Sequence, residues 1–200
     1  MTEVYFDDET LYLPDSLEQE EEYSDNDEKS FLFDNMNTTG QLTIYSIDEF
    51  DALPIYDMTG LREMIRSEMD DDQGLIEAER GETEGGNDYV YVIIKTGEPD
   101  DECAYTLFLE IFYVSQVIHI QGVFEETGIS GIRAKYVYEK LREEGIIGPD
   151  GEGWTKDPYD DSEDTGFLMD LSEDRKFDGE FPLHPLSVIR ELTAEICREN

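Results

Sequence analysis

Basic residues are scarce in this 200-residue sequence. Lys and Arg number 14 against 52 Asp and Glu, a formal net charge of −38. A nucleic-acid binder needs Lys and Arg to displace counterions from phosphates, so that class is excluded. Charge-driven docking on anionic lipid is excluded for the same reason. Cysteine is scarce too: Cys103 and Cys197 stand far apart in the chain. Two lone thiols fit a reducing cytoplasm better than a secreted disulfide scaffold. The two histidines, His119 and His184, have no second His or Cys at ligand spacing, so no zinc site is expected.

Long apolar runs are also missing. The most apolar stretch, Tyr105 to Phe124, is interrupted by Glu110, Gln116, His119 and Gln121 and alternates as strands do. A membrane helix is not expected there. The opening MTEVYFDDETLYLPD has no basic start followed by an apolar run, so no signal peptide is expected. Aromatics, by contrast, are plentiful: 10 Phe, 12 Tyr and 1 Trp. A disordered acidic chain would lack them, so a folded body under a negative coat is expected.

Residues 1–30 carry twelve acidic groups and one cation, Lys29. The run from Glu18 to Glu22 cannot bury itself. Tyr5, Phe6, Leu11, Tyr12 and Leu13 are interleaved with these charges, a mixture that orders against a partner or against its own domain. Residues 1–40 are therefore read as an acidic, flexible arm, and 41–200 as one α+β domain. Leu42–Tyr45 reads as a short strand. Ser46 and Glu49 have capping-box spacing and predict a short helix ended by Pro54. Thr59 is the next candidate cap, opening a helix to about Asp70 with Leu61, Met64 and Ile65 on one stripe.

The centre reads as β. Gly74–Arg80, Asp88–Thr96, Cys103–Val114 and Val117–Phe124 have strand length and pattern. The turns between them are short, and parallel pairing needs long crossovers. The expected fold class is therefore α+β: a central antiparallel meander of about four strands packed with three to four helices. Ser130 is a candidate cap for a helix to Glu144, stopped by Gly145. A polar loop spans 148–166. The last helix opens at Pro185, where a missing N–H costs nothing.

Catalytic motifs are not found. The chain has no G-x-S-x-G nucleophile elbow and no phosphate-binding glycine loop. Setting Gly166 as the glycine of a calcium loop puts Asp161 and Glu163 at ligand positions but Ser172 where a bidentate Glu is needed, so the match fails. No enzyme activity, metal or cofactor is expected.

Charge itself is patterned. Acid is dense at 1–30, 68–72, 98–102 and 148–180, and the last span holds twelve acidic residues against three basic ones. The helix at 131–145 is the exception, carrying Arg133, Lys135, Lys140 and Arg142. Solubility needs a net charge of only about 2–8 on a small domain, and a far larger one destabilises the compact state by self-repulsion. A field kept at that cost points to use. Same-face strand residues lie about 6.6 Å apart and helical i,i+4 neighbours about 6 Å. Carboxylates at such spacings resemble phosphates along a strand.

The sequence thus points to a nucleic-acid mimic: an inhibitor of phage or plasmid anti-defence type, anti-restriction or anti-CRISPR, that occupies the basic cleft of a DNA- or RNA-handling protein. The alternatives are a bacterial immunity protein that neutralises a basic nuclease toxin, and an acidic regulatory or chaperone-like module. The expected partner is a basic protein, not nucleic acid or membrane. The candidate contact residues are Asp70, Asp71 and Asp72; Asp100, Asp101 and Glu102; and Asp157, Asp160, Asp161, Glu163 and Asp164. Trp154 and Tyr159 are candidate aromatic anchors.

Overall fold

The computed structural model describes residues 1–6, 9–20, 28–97, 103–163 and 166–200. Its centre is one antiparallel sheet of seven strands: β3 (Glu18–Gln19), β4 (Glu28–Asp34), β5 (Thr38–Ile47), β9 (Val117–Glu126), β8 (Ala104–Phe112), β7 (Asp88–Thr96) and β6 (Gln73–Glu82), in that spatial order. This corrects the four-strand expectation. The strands beyond the meander come from the acidic N-terminal segment and from β5, which is ten residues long. Charge density hid β3 and β4, whereas the strand expected at Leu42–Tyr45 lies within the uncharged β5. In β4, Phe31 and Phe33 are buried while Glu28, Leu32 and Asp34 face out, the alternation of a half-buried strand. The expected boundary at residue 40 falls inside β5, and no capped helix follows Ser46, because Ser46 and Ile47 continue that strand.

Before the sheet, β1 (Thr2–Phe6) and β2 (Glu9–Leu13) pair as a hairpin. Leu11 and Leu13 are fully buried, so the described part of the N-terminal segment packs into the core. The hairpin is tied to the other end of the chain. Asn200 accepts the Tyr12 N–H at 2.8 Å and donates to the Tyr12 carbonyl at 2.9 Å, as a neighbouring strand would.

The sheet has two unlike faces. One carries Leu42, Ile44, Leu107, Leu109, Ile118 and Ile120 beneath the hairpin and α3 (Pro185–Glu199). The other is covered by α1 (Met58–Glu68), whose Leu61 and Ile65 sit on Leu75, Ala78, Val90 and Val92. The chain leaves β5 mid-sheet and enters β6 at the far edge, so α1 crosses only the β6–β8 half of that face. The cap of α1 is Asp57, not Thr59: its carboxylate accepts the Gly60 N–H at 2.9 Å. α2 (Ile132–Glu143) starts after Gly131, left-handed at φ 71°, where Ser130 was expected to cap. A two-strand ladder of β10 (Thr155–Lys156) and β11 (Met169–Asp170) closes the long polar loop.

Candidate functional site

Most of the scarce cations are paired within the chain, and Arg133, Arg190 and Lys95 are buried. Arg133 is 1% exposed. It donates to the Ser172 carbonyl and to Ser187 Oγ at 2.7 Å each and to Asp178 at 2.9 Å. Arg190, on α3, donates to Glu77 at 2.7 Å, to Asp178 at 2.9 Å and to the Glu173 carbonyl at 2.7 Å. Glu77 reaches this network through a β-bulge in β6 between Leu75 and Glu77, which re-aims the strand at that point. Lys95 pairs with Glu173 at 3.0 Å, and the Tyr105 hydroxyl donates to the same carboxylate at 3.1 Å. Burial, with Asp170 adding to it, pushes the Glu173 carboxyl up, and burial likewise pushes the Tyr105 phenol well up. In all, at least ten of the 14 cationic side chains make ion pairs within the chain.

The acid lies mostly outside. Asp70, Asp71 and Asp72 are exposed on the turn after α1, and Asp160, Asp161 and Glu163 are exposed on the long loop. The structure brings these two groups together: Asp70, Asp71 and Glu163 line one cavity of about 200 Å³, with Arg66 and Phe167 in its walls. Hydrogen bonds from the Ser162 hydroxyl and amide hold Asp160 below the usual carboxylate range.

Three candidate contact residues turn inward instead. Asp157 is buried, pairs with Arg66 at 2.5 Å and accepts the N–H groups of Tyr159 and Asp160 at 2.8 Å each. The Tyr159 hydroxyl accepts the Ala78 N–H at 2.7 Å and donates to Glu79 at 2.9 Å, with the Arg62 guanidinium 3.8 Å from the ring centre. The half-buried Trp154 packs edge-on against Tyr138 at 5.1 Å. These side chains pin the loop. Asp100, Asp101, Glu102 and Asp164 lie outside the described residues.

A second feature was not singled out as a site from sequence. Glu110 and His119 sit directly opposite each other on β8 and β9. The His119 Nδ1 lies 2.9 Å from one Glu110 oxygen, and the other oxygen accepts the Leu53 N–H at 2.7 Å. Glu110 is 2% and His119 9% exposed. The signal was present: both residues interrupt the apolar stretch, and a tight turn at 115–116 sets them in register. The pair lies in the wall of a cavity of about 430 Å³ beside α1.

Among the described residues, no group of three or more His, Cys, Asp or Glu is placed to hold a metal ion. No helix among them is long and apolar enough to cross a membrane. Cys103 and Cys197 are not joined in a disulfide, and burial pushes their thiols up to about 11 and about 12.

No family model matches the chain, and no curated protein matches it. Among solved structures, it is similar to a mutant of the protein Mog1 at 9% identity and a TM-score of 0.44, over 70% of this chain and 83% of that one. It is also similar to the Ran-binding protein Mog1p of Saccharomyces cerevisiae at 6% identity and a TM-score of 0.38, over 68% and 77% of the two chains.

Proposed function

We propose that this protein is an acidic inhibitor that mimics nucleic acid and occupies the basic cleft of a DNA- or RNA-handling protein, as anti-restriction and anti-CRISPR proteins do. The observation that carries this reading is the sorting of charge: at least ten of the cations are paired within the chain, while Asp70–Asp72 and Asp160, Asp161 and Glu163 face solvent, with Asp70, Asp71 and Glu163 lining one concavity. Unlike charges steer association and exclude wrong partners more than they add raw affinity. The inhibitor acts in the reducing cytoplasm, where its two thiols stay reduced, and it requires no catalysis or cofactor of its own.

The test is charge reversal confined to exposed carboxylates: Asp70→Lys, Asp71→Lys, Asp72→Lys, Asp160→Lys, Asp161→Lys and Glu163→Lys together. Asp157 is spared because it holds Arg66 and the loop. The variant is expected to fold and to lose competition with duplex DNA for the basic partner. Full competition by the variant overturns the reading. Protection against one nuclease toxin, with no binding to other nucleic-acid-handling proteins, would indicate the immunity alternative instead.

A further inference from the structure

α1 covers only part of its face of the sheet, and a well lies where that cover ends. Its walls are Leu53, Met64 and Met69 on one side and Val92, Ile94 and Phe108 on the other. At about 430 Å³ it falls within the range of small-molecule sites, roughly 300–1,000 Å³, which are mostly apolar with a few placed polar groups.

The placed polar group here is His119. Glu110 uses one oxygen on the Leu53 N–H and the other on His119 Nδ1. Against a carboxylate, which accepts, Nδ1 is the donor, and in the neutral ring Nε2 is then the acceptor. No described residue bonds Nε2, although the side chain is about nine-tenths buried. The Tyr45 ring centre lies 4.9 Å from the imidazole and that of Phe108 6.2 Å. At the margin stand Asp51 and Glu68, both exposed, and among the described residues no Lys or Arg lines the well.

We propose that this well binds a small organic amine with an aromatic or aliphatic body. The ammonium N–H donates to His119 Nε2 within the field of Asp51, Glu68 and Glu110. The body lies against Met64, Val92 and Phe108, replacing water on apolar surface. An anion would face three carboxylates with no compensating cation. A pure hydrocarbon would strip water from the Nε2 acceptor and return no donor, which costs about 1–3 kcal/mol for a buried polar group. Of anion, hydrocarbon and amine, the amine matches wall, floor and rim, and its charge sets it apart from a neutral alcohol donor. This site is independent of the inhibitor reading.

The experiment uses the full chain and three probes of similar shape: phenethylamine, 2-phenylethanol and 3-phenylpropionate. Calorimetry measures affinity, and the imidazole nitrogen resonances of His119 locate the site. Phenethylamine is expected to bind one to one, to shift Nε2 more than Nδ1, and to bind at least about tenfold tighter than either other probe, a difference of about 1.4 kcal/mol. Glu68→Lys changes an exposed residue and so leaves the fold intact. It is expected to weaken the amine about tenfold and leave the thermal midpoint near that of the parent. The proposal is overturned if the alcohol or the carboxylate binds as tightly as the amine. It is equally overturned if Glu68→Lys leaves amine affinity unchanged, or if the His119 resonances stay fixed at roughly 10 mM amine.

Discussion

His184 opens α3 with a ring that burial keeps uncharged. Its Nδ1 accepts the Leu186 N–H at 3.2 Å, which demands an unprotonated nitrogen there. Burial, followed by the nearby Arg133 and Arg190 guanidiniums, lowers the imidazole to about 3. The Glu126 carboxylate, 3.6 Å from Nε2, does not offset them. The unfolded chain takes up this proton near pH 6.5 and the folded chain does not. Stability is therefore complete above pH 6.5 and is lost as pH falls from there towards 3, at about 1.4 kcal/mol per unit. His184→Asn keeps a cap acceptor without the titration. Between pH 6.5 and 4.5 the parent should lose about 2–3 kcal/mol more than this variant in urea unfolding. Parallel curves would contradict the account. Arg133 is the other residue whose loss is felt at once. Arg133→Ala leaves the Ser172 and Asp174 carbonyls without the guanidinium and Asp178 with one cation, Arg190, in place of two, and should cost about 3–5 kcal/mol, read from the same urea transitions. The role of His184 at the start of its helix was legible from its place before Pro185. The inward turn of Asp157 was not, because its partner Arg66 lies 91 residues away. Local density shows where acid is plentiful, not which carboxylate a distant guanidinium will claim.

At the scale of elements, the sheet was legible wherever alternation stood free of charge. Asp88–Thr96 emerges with the bounds expected of it, whereas β4 was lost in the acidic segment although its Phe31 and Phe33 follow the same rule. The turn chemistry around 46–54 misled because capping spacing says nothing about whether a strand has yet ended. One device in the sheet is visible only in three dimensions. The Phe124 ring lies over Gly40 on β5 and Gly122 on its own strand β9, and a Cβ on Gly40 would stand 2.4 Å from the ring. Two strand glycines, each weak alone, together make the seat of a fully buried aromatic. Gly40→Ala should therefore displace Phe124 and cost about 1–3 kcal/mol, measured by thermal unfolding. Gly40→Ala combined with Phe124→Leu should recover part of the loss, and failure to recover any would place the strain elsewhere.

For the whole molecule, burial leaves the formal charge of −38 almost unchanged: among the described residues Arg133, Arg190 and Lys95 are buried, and so are the carboxylates of Glu77, Glu110, Asp157 and Glu173. In the interior Arg133 and Arg190 are held by carboxylates and carbonyls and Lys95 by Glu173, while the carboxylates that solvent meets far outnumber the cations. Such a surface repels itself, and salt screens exposed charges far more than buried pairs. Raising NaCl should therefore raise the urea midpoint, whereas a fold held mainly by surface ion pairs would lose stability. The sorting could not be read from composition, which counts charges without saying which are inside. The central claim is that the outward acid competes with nucleic acid for a basic cleft. The direct measurement captures DNA- and RNA-handling proteins on the immobilised chain, then challenges them with duplex DNA and with NaCl from roughly 0.1 to 1 M, which shortens the screening length from about 10 to about 3 Å. The account predicts release by both. A complex that withstands both duplex DNA and 1 M salt, at roughly the top of that range, would contradict it.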